Sequence, residues 1–287
     1  MLTQDKIEFY HENGYVAVEN VLTAEEVGNL RRVTDEFIQN SRELTEHTSV
    51  FDLEPNHTST DPRVRRIKNA NREHVVYDQT LRHEKILDIV SQLIGDGLRT
   101  NGQKLNMKYA GYGSPVEWHQ DWAFYPHGND DLLAVGVSFD DMTVENGALM
   151  VIPKSHRGPV YNHHQHGEFI GAVVDSNFNP EGAVPIEVRA GGISIHHVRT
   201  LHASAPNTSS RPRRLLLSQY CALDAWPLGG IPDWDTFNSL ILRGEATNQP
   251  RLVSVPIRMP LPHAERRGSI FEVQSLLEDP VFREKAR

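Results

Sequence analysis

Glu117-Trp118-His119-Gln120-Asp121-Trp122 sets an imidazole and a carboxylate two residues apart. On an extended strand, side chains at i and i+2 project from the same face, so His119 and Asp121 can approach one point in space. Such a pair supplies two of the three groups of a 2-His-1-carboxylate facial triad, which holds non-haem Fe(II) and leaves coordination positions open. A triplet this short arises readily by chance in a chain with 15 His, so its meaning rests on a second, distant His returned by the fold.

Outward from this stretch, strand-length runs separated by Gly, Pro and Asn turn signals occupy 98–109, 116–121, 131–139, 147–152, 184–189, 192–197 and 213–222. Regular short strands of this kind predict a β-sandwich or barrel of the jelly-roll type. The helical signals come before it. Residues 3–13 carry Ile7, Phe9 and Tyr10 and stop at Gly14, and Tyr15-Val16-Ala17-Val18 is strand-like. Thr23-x-x-Glu26 fits a capping box, and Val27, Leu30, Val33 and Phe37 continue a long helix behind it. A further helix is expected from about Asp78 to Gly95. Between these helices, residues 45–63 are polar with Pro55 and Pro62 and read as a surface loop, in which His57 is solvated. The expected plan is a single α+β domain: a helical cover and loop at 1–97, a jelly-roll core at 98–224, and a Pro-rich wrapping segment at 225–287 with a helix near 269–278.

Composition narrows the class. Hydrophobic residues at 38% and charged residues at 23% indicate a soluble globular protein. No run approaches the ~20 apolar residues of a membrane helix. Met1-Leu2-Thr3-Gln4-Asp5-Lys6 lacks the basic-then-apolar pattern of a signal peptide. The single Cys, Cys221, permits no intrachain disulfide, so a reducing, cytoplasmic location is expected. A net charge of -9 argues against a nucleic-acid binder.

The third ligand is sought in Gly191-Gly192-Ile193-Ser194-Ile195-His196-His197-Val198-Arg199-Thr200-Leu201-His202-Ala203-Ser204. His196 and His197 are adjacent, so on a strand at most one faces inward. His202 follows a turn and precedes small residues that let backbone and ligand approach. Downstream, Arg213 and Arg214 open the strand Leu215-Leu216-Leu217. A guanidinium 11 residues after a metal-ligating His, on a neighbouring strand, could reach a carboxylate bound to the same metal, because its fork pairs with carboxylate through two parallel hydrogen bonds. That spacing favours His202.

With these residues together, the chain resembles the phytanoyl-CoA dioxygenase family of Fe(II)- and 2-oxoglutarate-dependent oxygenases over roughly residues 7–222. The marks are Gly14-Tyr15-Val16, Lys104-Leu105-Asn106-Met107-Lys108, Trp118-His119-Gln120-Asp121, Glu145-Asn146-Gly147-Ala148-Leu149, Pro153-Lys154-Ser155-His156, Leu201-His202-Ala203-Ser204 and Arg211-Pro212-Arg213-Arg214, in the family's order. Gly191-Gly192 departs from the pattern, since members often have Asp after the Gly; a turn is affected and no ligand. The resemblance implies a double-stranded β-helix, or cupin-like, core and iron ligands at His119, Asp121 and His202. It implies an Arg213 that holds the distal carboxylate of 2-oxoglutarate, and further polar contacts from Lys108 and Asn106. It also implies that O2 and 2-oxoglutarate are consumed to give succinate and CO2 as an unactivated C–H is hydroxylated. Related halogenases have a small residue in place of Asp121, so the carboxylate favours hydroxylation; desaturation and cyclisation use the same ligands. A metal protein that needs no 2-oxoglutarate is the competing reading, and it would leave Arg213 without an anion. For the substrate, Trp118, Trp122, Phe124 and Tyr125 flank the first two ligands and are candidate pocket walls. Arg243, Arg251, Arg258, Arg266 and Arg267 in the tail point to an anionic or polar small molecule.

Overall fold

Thr23 caps the first long helix in the manner its sequence predicts. The Thr23 hydroxyl accepts from the Glu26 N–H at 3.2 Å, and the Glu26 carboxylate accepts from the Thr23 N–H at 2.7 Å. The computed structural model describes residues 1–265 and 268–282, so Arg266 and Arg267 lie outside the described residues. The covering part comprises α1 (Gln4–Asn13), β1 (Tyr15–Val18), α2 (Ala24–Asn40), β2 (Phe51–Leu53), β3 (Val64–Lys68), α3 (Ala70–Glu73), α4 (Val75–Leu81) and α5 (Glu84–Ile94). The strand-rich part holds β4 (Leu98–Lys108), β5 (Val116–His119), β6 (Leu132–Ser138), β7 (Leu149–Val151), β8 (His164–Gln165), β9 (Glu168–Phe169), β10 (Val184–Ile186), β11 (Ile193–His197), β12 (His202–Ser204) and β13 (Arg213–Ala222). The tail adds α6 (Trp234–Ser239), β14 (Ile241–Arg243) and α7 (Ile270–Gln274).

The strands form a large antiparallel sheet in the order β1-β11-β6-β13-β4-β3-β2, with β14 also on β4, and a smaller one in the order β10-β7-β12-β5. Alternation sorts the large sheet into two faces. Leu216 lies opposite Leu105 and Val137, and Ile195 lies opposite Val135 and Val16. These side chains join Leu30, Val33, Tyr77, Leu81, Ile86 and Val90 of the helices in one buried cluster. Burying each such Leu, Val or Ile contributes about 1.5–3 kcal/mol, which seats the helices on this face. The residues between them, including Lys104, Asn106, Arg213, Leu215 and Leu217, face the smaller sheet and border the cavities of the site.

Two expectations are corrected. The helix expected from Asp78 to Gly95 is broken: α4 ends at Leu81, and His83, extended at φ -61° and ψ 122°, caps α5. The break lets Leu81 and Ile86 reach the same cluster from two helix directions. The polar segment 45–63 is not all loop. Phe51–Leu53 forms β2 and pairs with β3, which pairs in turn with β4. Three apolar-flanked residues and an Arg-rich partner carry too little periodic signal to read as strands. The buried Asp52 is offset by Lys68 at 2.8 Å.

The tail lies along the strand-rich part. Glu117 of β5 accepts the Val281 and Phe282 N–H groups at 2.9 Å, and Gln274 of α7 accepts the Glu117 N–H at 2.9 Å. Among the described residues, no helix is long and apolar enough to cross a membrane.

Candidate metal centre

β5 ends at His119, and Gln120 stays extended at φ -120° and ψ 126°, so the Asp121 side chain emerges on the His119 side. Asp121 itself begins a 3₁₀ turn, Asp121–Ala123, and is not part of the strand. β12 sets His202 directly opposite His119 in the antiparallel ladder. One ligand atom from each of His119, Asp121 and His202 lies within 4.8 Å of the others, and all three residues are buried. The two imidazoles are oriented from behind. His119 Nδ1 meets the Glu117 carbonyl at 2.7 Å and His202 Nδ1 meets the Thr200 carbonyl at 2.9 Å. A carbonyl only accepts, so each Nδ1 carries the proton and each Nε2 presents a lone pair to the centre.

Electrostatics reinforce this. Burial pushes His119 down to about 4 and His202 well below its ordinary value, so both rings are neutral at neutral pH. Burial alone would raise Asp121, but His196, His202 and Lys104 outweigh it and hold the carboxyl well below the usual range. Two neutral nitrogens and one carboxylate, with a tautomer fixed by backbone carbonyls, form a donor set that fits Fe(II).

A third His borders the centre, and the sequence alone did not single it out as the inward one. The His196 ring is 4.2 Å from the His202 ring, its Nε2 is 3.6 Å from Asp121 Oδ2, and neither of its nitrogens has a hydrogen-bond partner. His197 faces the other way, 5.2 Å from the His156 ring and 3.9 Å from Asp130. The signal available was the small Ser194 two residues before His196, on the same face of β11.

Arg213, at the start of β13, is buried and turned inward. Its guanidinium donates to the Gly147 carbonyl at 2.6 Å and to Ser204 Oγ at 2.8 Å, while its Nε is buried without a partner. Burial pushes it down to about 10, so it stays charged at neutral pH. Arg214 points to the helical side and is held by Asp140 and Asp35. Lys108 is fully engaged, its Nζ donating to the carbonyls of Ser114, Ser204 and Ala205 at 2.7–3.2 Å. It staples the loops around Arg213. Asn106 borders the same inner cavity, and its Oδ1 has no partner.

Residues 10–215 match the family model described as phytanoyl-CoA dioxygenase (PhyH). The chain belongs to the phytanoyl-CoA dioxygenase family. A protein of Stutzerimonas stutzeri named as a probable alpha-ketoglutarate-dependent hypophosphite dioxygenase is 37% identical over 280 residues, covering 95% of this chain and 97% of that one. A methylphosphonate hydroxylase of Gimesia maris is 25% identical over 223 residues, covering 77% and 82%. EctD from S. alaskensis with bound Fe superposes with a TM-score of 0.67 at 22% identity, covering 89% and 88%, and shares the fold. This phytanoyl-CoA dioxygenase family member is a 2-oxoglutarate-dependent non-haem iron dioxygenase, with iron and 2-oxoglutarate as its cofactors.

In this dioxygenase the aromatic residues beside the ligands divide. Trp118 faces away from His119 by strand alternation and packs with Leu201, Ala203 and Phe178. Trp122 is fully buried by the 3₁₀ turn, its indole N–H donating to the Pro256 carbonyl at 2.8 Å. Neither borders the two cavities at the centre, which corrects their expected place as pocket walls. Phe124 and Tyr125 do line the outer cavity, of about 380 Å³, which Asp121 also borders. Arg243, Arg251 and Arg258 are held by Asp88, Asp224 and the Val160 carbonyl, and none lines either cavity. His57 accepts the Arg63 N–H at 2.9 Å within its own segment.

Proposed function

We propose that this dioxygenase hydroxylates a C–H bond of a small anionic or polar metabolite, with iron held by His119, Asp121 and His202. The observation that carries the reading is the convergence of two backbone-oriented Nε2 lone pairs and one ionised carboxylate at a buried point. Bound iron and 2-oxoglutarate supply the oxidising power: one oxygen atom of O2 enters succinate as CO2 leaves, and the other enters the product. The two sheets are taken as the double-stranded β-helix of the family, and the centre opens toward the cavity between them.

The protein's part is binding and placement. Arg213 would take the distal carboxylate of 2-oxoglutarate, its unpartnered Nε offering a further hydrogen bond. Lys108 supports that site by fixing the Ser204–Ala205 backbone. Asn106 offers a free carbonyl oxygen to whatever lies between the two sheets.

A second reading is favoured by one observation, the 37% identity over 95% of the chain to the protein named as a probable hypophosphite dioxygenase. In it the bond oxidised is P–H, and hypophosphite becomes phosphite with the same cosubstrate stoichiometry. One assay separates the readings. Protein with Fe(II), ascorbate, 2-oxoglutarate and air is supplied either with hypophosphite or with pooled organic acids, and succinate and product masses are measured. A C–H hydroxylase yields succinate only with an organic substrate that gains one oxygen. A P–H oxidase yields succinate and phosphite with hypophosphite. A product that loses two hydrogens without gaining oxygen indicates desaturation or cyclisation. No iron binding and no succinate with any substrate overturns the proposal.

A further inference from the structure

Five cations border the two cavities at the centre; two are committed to the scaffold and a third, Arg213, faces the cosubstrate in the proposed reading. Lys68 pairs with Asp52 and donates to the Thr48 carbonyl, each at 2.8 Å. Lys108 is bound by three carbonyls. Arg213 is bound by Gly147 and Ser204. Arg66 of β3 and Lys104 of β4 are different. Neither makes a hydrogen bond or ion pair with any described residue, and the Arg66 Nε is buried without a partner.

Register places these two together. In the β3–β4 ladder Arg66 lies opposite Asn106, and Lys104 lies opposite Lys68. Arg66 and Lys104 are therefore diagonal neighbours on one face, a relation that sets Cβ atoms roughly 7–8 Å apart. Two half-buried like charges at that range repel; the carboxylates that act on them are Asp52, opposite Arg66 on β2 and already paired with Lys68, and Asp121 of the metal centre, and neither forms an ion pair with Arg66 or Lys104. Lys104 and Asp121 border both the inner and the outer cavity, so an anion held by the two cations sits beside the metal-facing residues. Asn101, Gln103 and Gln219 add neutral polar groups to the same wall. The cosubstrate's carboxylate has its own cation in Arg213, on β13.

We propose that Arg66 and Lys104 form the seat of the substrate's acidic group, and that the substrate is a compact oxyanion: a carboxylate, a phosphonate or a phosphorus oxyacid. The proposal rests on the dioxygenase reading and sharpens it by assigning the residues that choose the substrate. An anion bridging the two cations replaces their repulsion with two charge-assisted contacts. It also presents the bond nearest its charged group to the centre, because Lys104 stands at the junction of the cavities.

The test uses the full-length protein loaded anaerobically with Fe(II) and 2-oxoglutarate, titrated by calorimetry with hypophosphite, phosphite, methylphosphonate and acetate, and with glycerol as the neutral probe. At least one oxyanion is expected to bind and glycerol is not. Arg66→Gln and Lys104→Met are each expected to weaken that oxyanion at least about tenfold. Arg66→Lys, which keeps the charge, should lose less than Arg66→Gln, and 2-oxoglutarate affinity should stay within about twofold in all three variants. Circular dichroism identifies any variant that fails to fold, and for such a variant the Arg66→Lys comparison decides. If iron and 2-oxoglutarate bind but none of the oxyanions does, the proposed seat is wrong while the dioxygenase reading stands. If the variants weaken 2-oxoglutarate as much as the oxyanion, the two cations serve the cosubstrate and the proposal is overturned. Failure of the wild type to bind iron or 2-oxoglutarate removes the underlying reading instead.

Discussion

The Nδ1–H bonds of His119 and His202 to the Glu117 and Thr200 carbonyls make each imidazole a one-sided ligand. Removing one ring should therefore remove the metal and leave the fold. His202→Ala is expected to abolish stoichiometric Fe(II) binding, measured by anaerobic ultrafiltration and metal analysis, whereas His197→Ala should retain it because that ring faces His156 and Asp130. The reverse outcome would show that the distal ligand has been misassigned. The same logic separates the two arginines. Arg213→Ala should raise the 2-oxoglutarate Kd by about tenfold or more, since it removes a charged partner from a buried carboxylate. Arg214→Ala, whose guanidinium lies against Asp140 and Asp35, should leave that Kd within about twofold. At this scale the convergence of His119, Asp121 and His202 and the inward turn of Arg213 were legible from their chemical spacing. His196 was not, because adjacent histidines on a strand are told apart only by register. Trp118 and Trp122 misled for a related reason: nearness in sequence to a ligand places every other side chain on the far side of the strand.

The turn between β6 and β7 shows how an element holds the buried Arg213 in place. Gly147 has φ +81°, in the left-handed region, and its carbonyl accepts from both Arg213 and Ser204. A Cβ there would lie 2.5 Å from the Ala205 carbonyl oxygen and 2.9 Å from the Lys108 side chain. Gly147→Ala should thus cost roughly 1–2 kcal/mol in backbone conformation alone, read as a lower urea midpoint. It should also weaken 2-oxoglutarate binding, since Lys108 and the carbonyl that fixes Arg213 must shift. A midpoint loss with unchanged 2-oxoglutarate affinity would show that the turn does not shape the cosubstrate site. The Asn146-Gly147 pair announces this turn in the sequence through the backbone freedom of Gly. β2 and β3 announce nothing comparable, being short, interrupted by Asp52, Arg65 and Arg66, and dependent on β4 as a template. The strand missed for that reason is the one that brings Arg66 to the site.

Over the whole molecule, a net charge of -9 coexists with a cavity wall built from Arg66, Lys68 and Lys104. The sum over the chain is silent about that wall, because it is assembled from strands distant in sequence. The enclosure that creates it also buries histidines outside the ligand set. Burial pushes His127 down to about 4 and His163 down to about 3, outweighing the backbone carbonyl at each Nδ1, which favours the charged ring. Their folded pKa values lie below the unfolded value near 6.5, so between these limits the unfolded chain binds more protons. Stability is complete above pH 6.5 and is lost as pH falls through 6.5 toward 3–4. At pH 5 each of the two contributes a loss of about 2 kcal/mol, from roughly 1.4 kcal/mol per pH unit over the interval below 6.5. The urea midpoint of metal-free protein, kept in chelator so that iron release plays no part, should fall between pH 7.5 and pH 5. In His127→Gln the drop should be smaller than in the wild type, even though the variant starts from a lower midpoint, because Gln takes up no proton. An equal drop in both proteins would mean that His127 is already accessible to protons in the folded state.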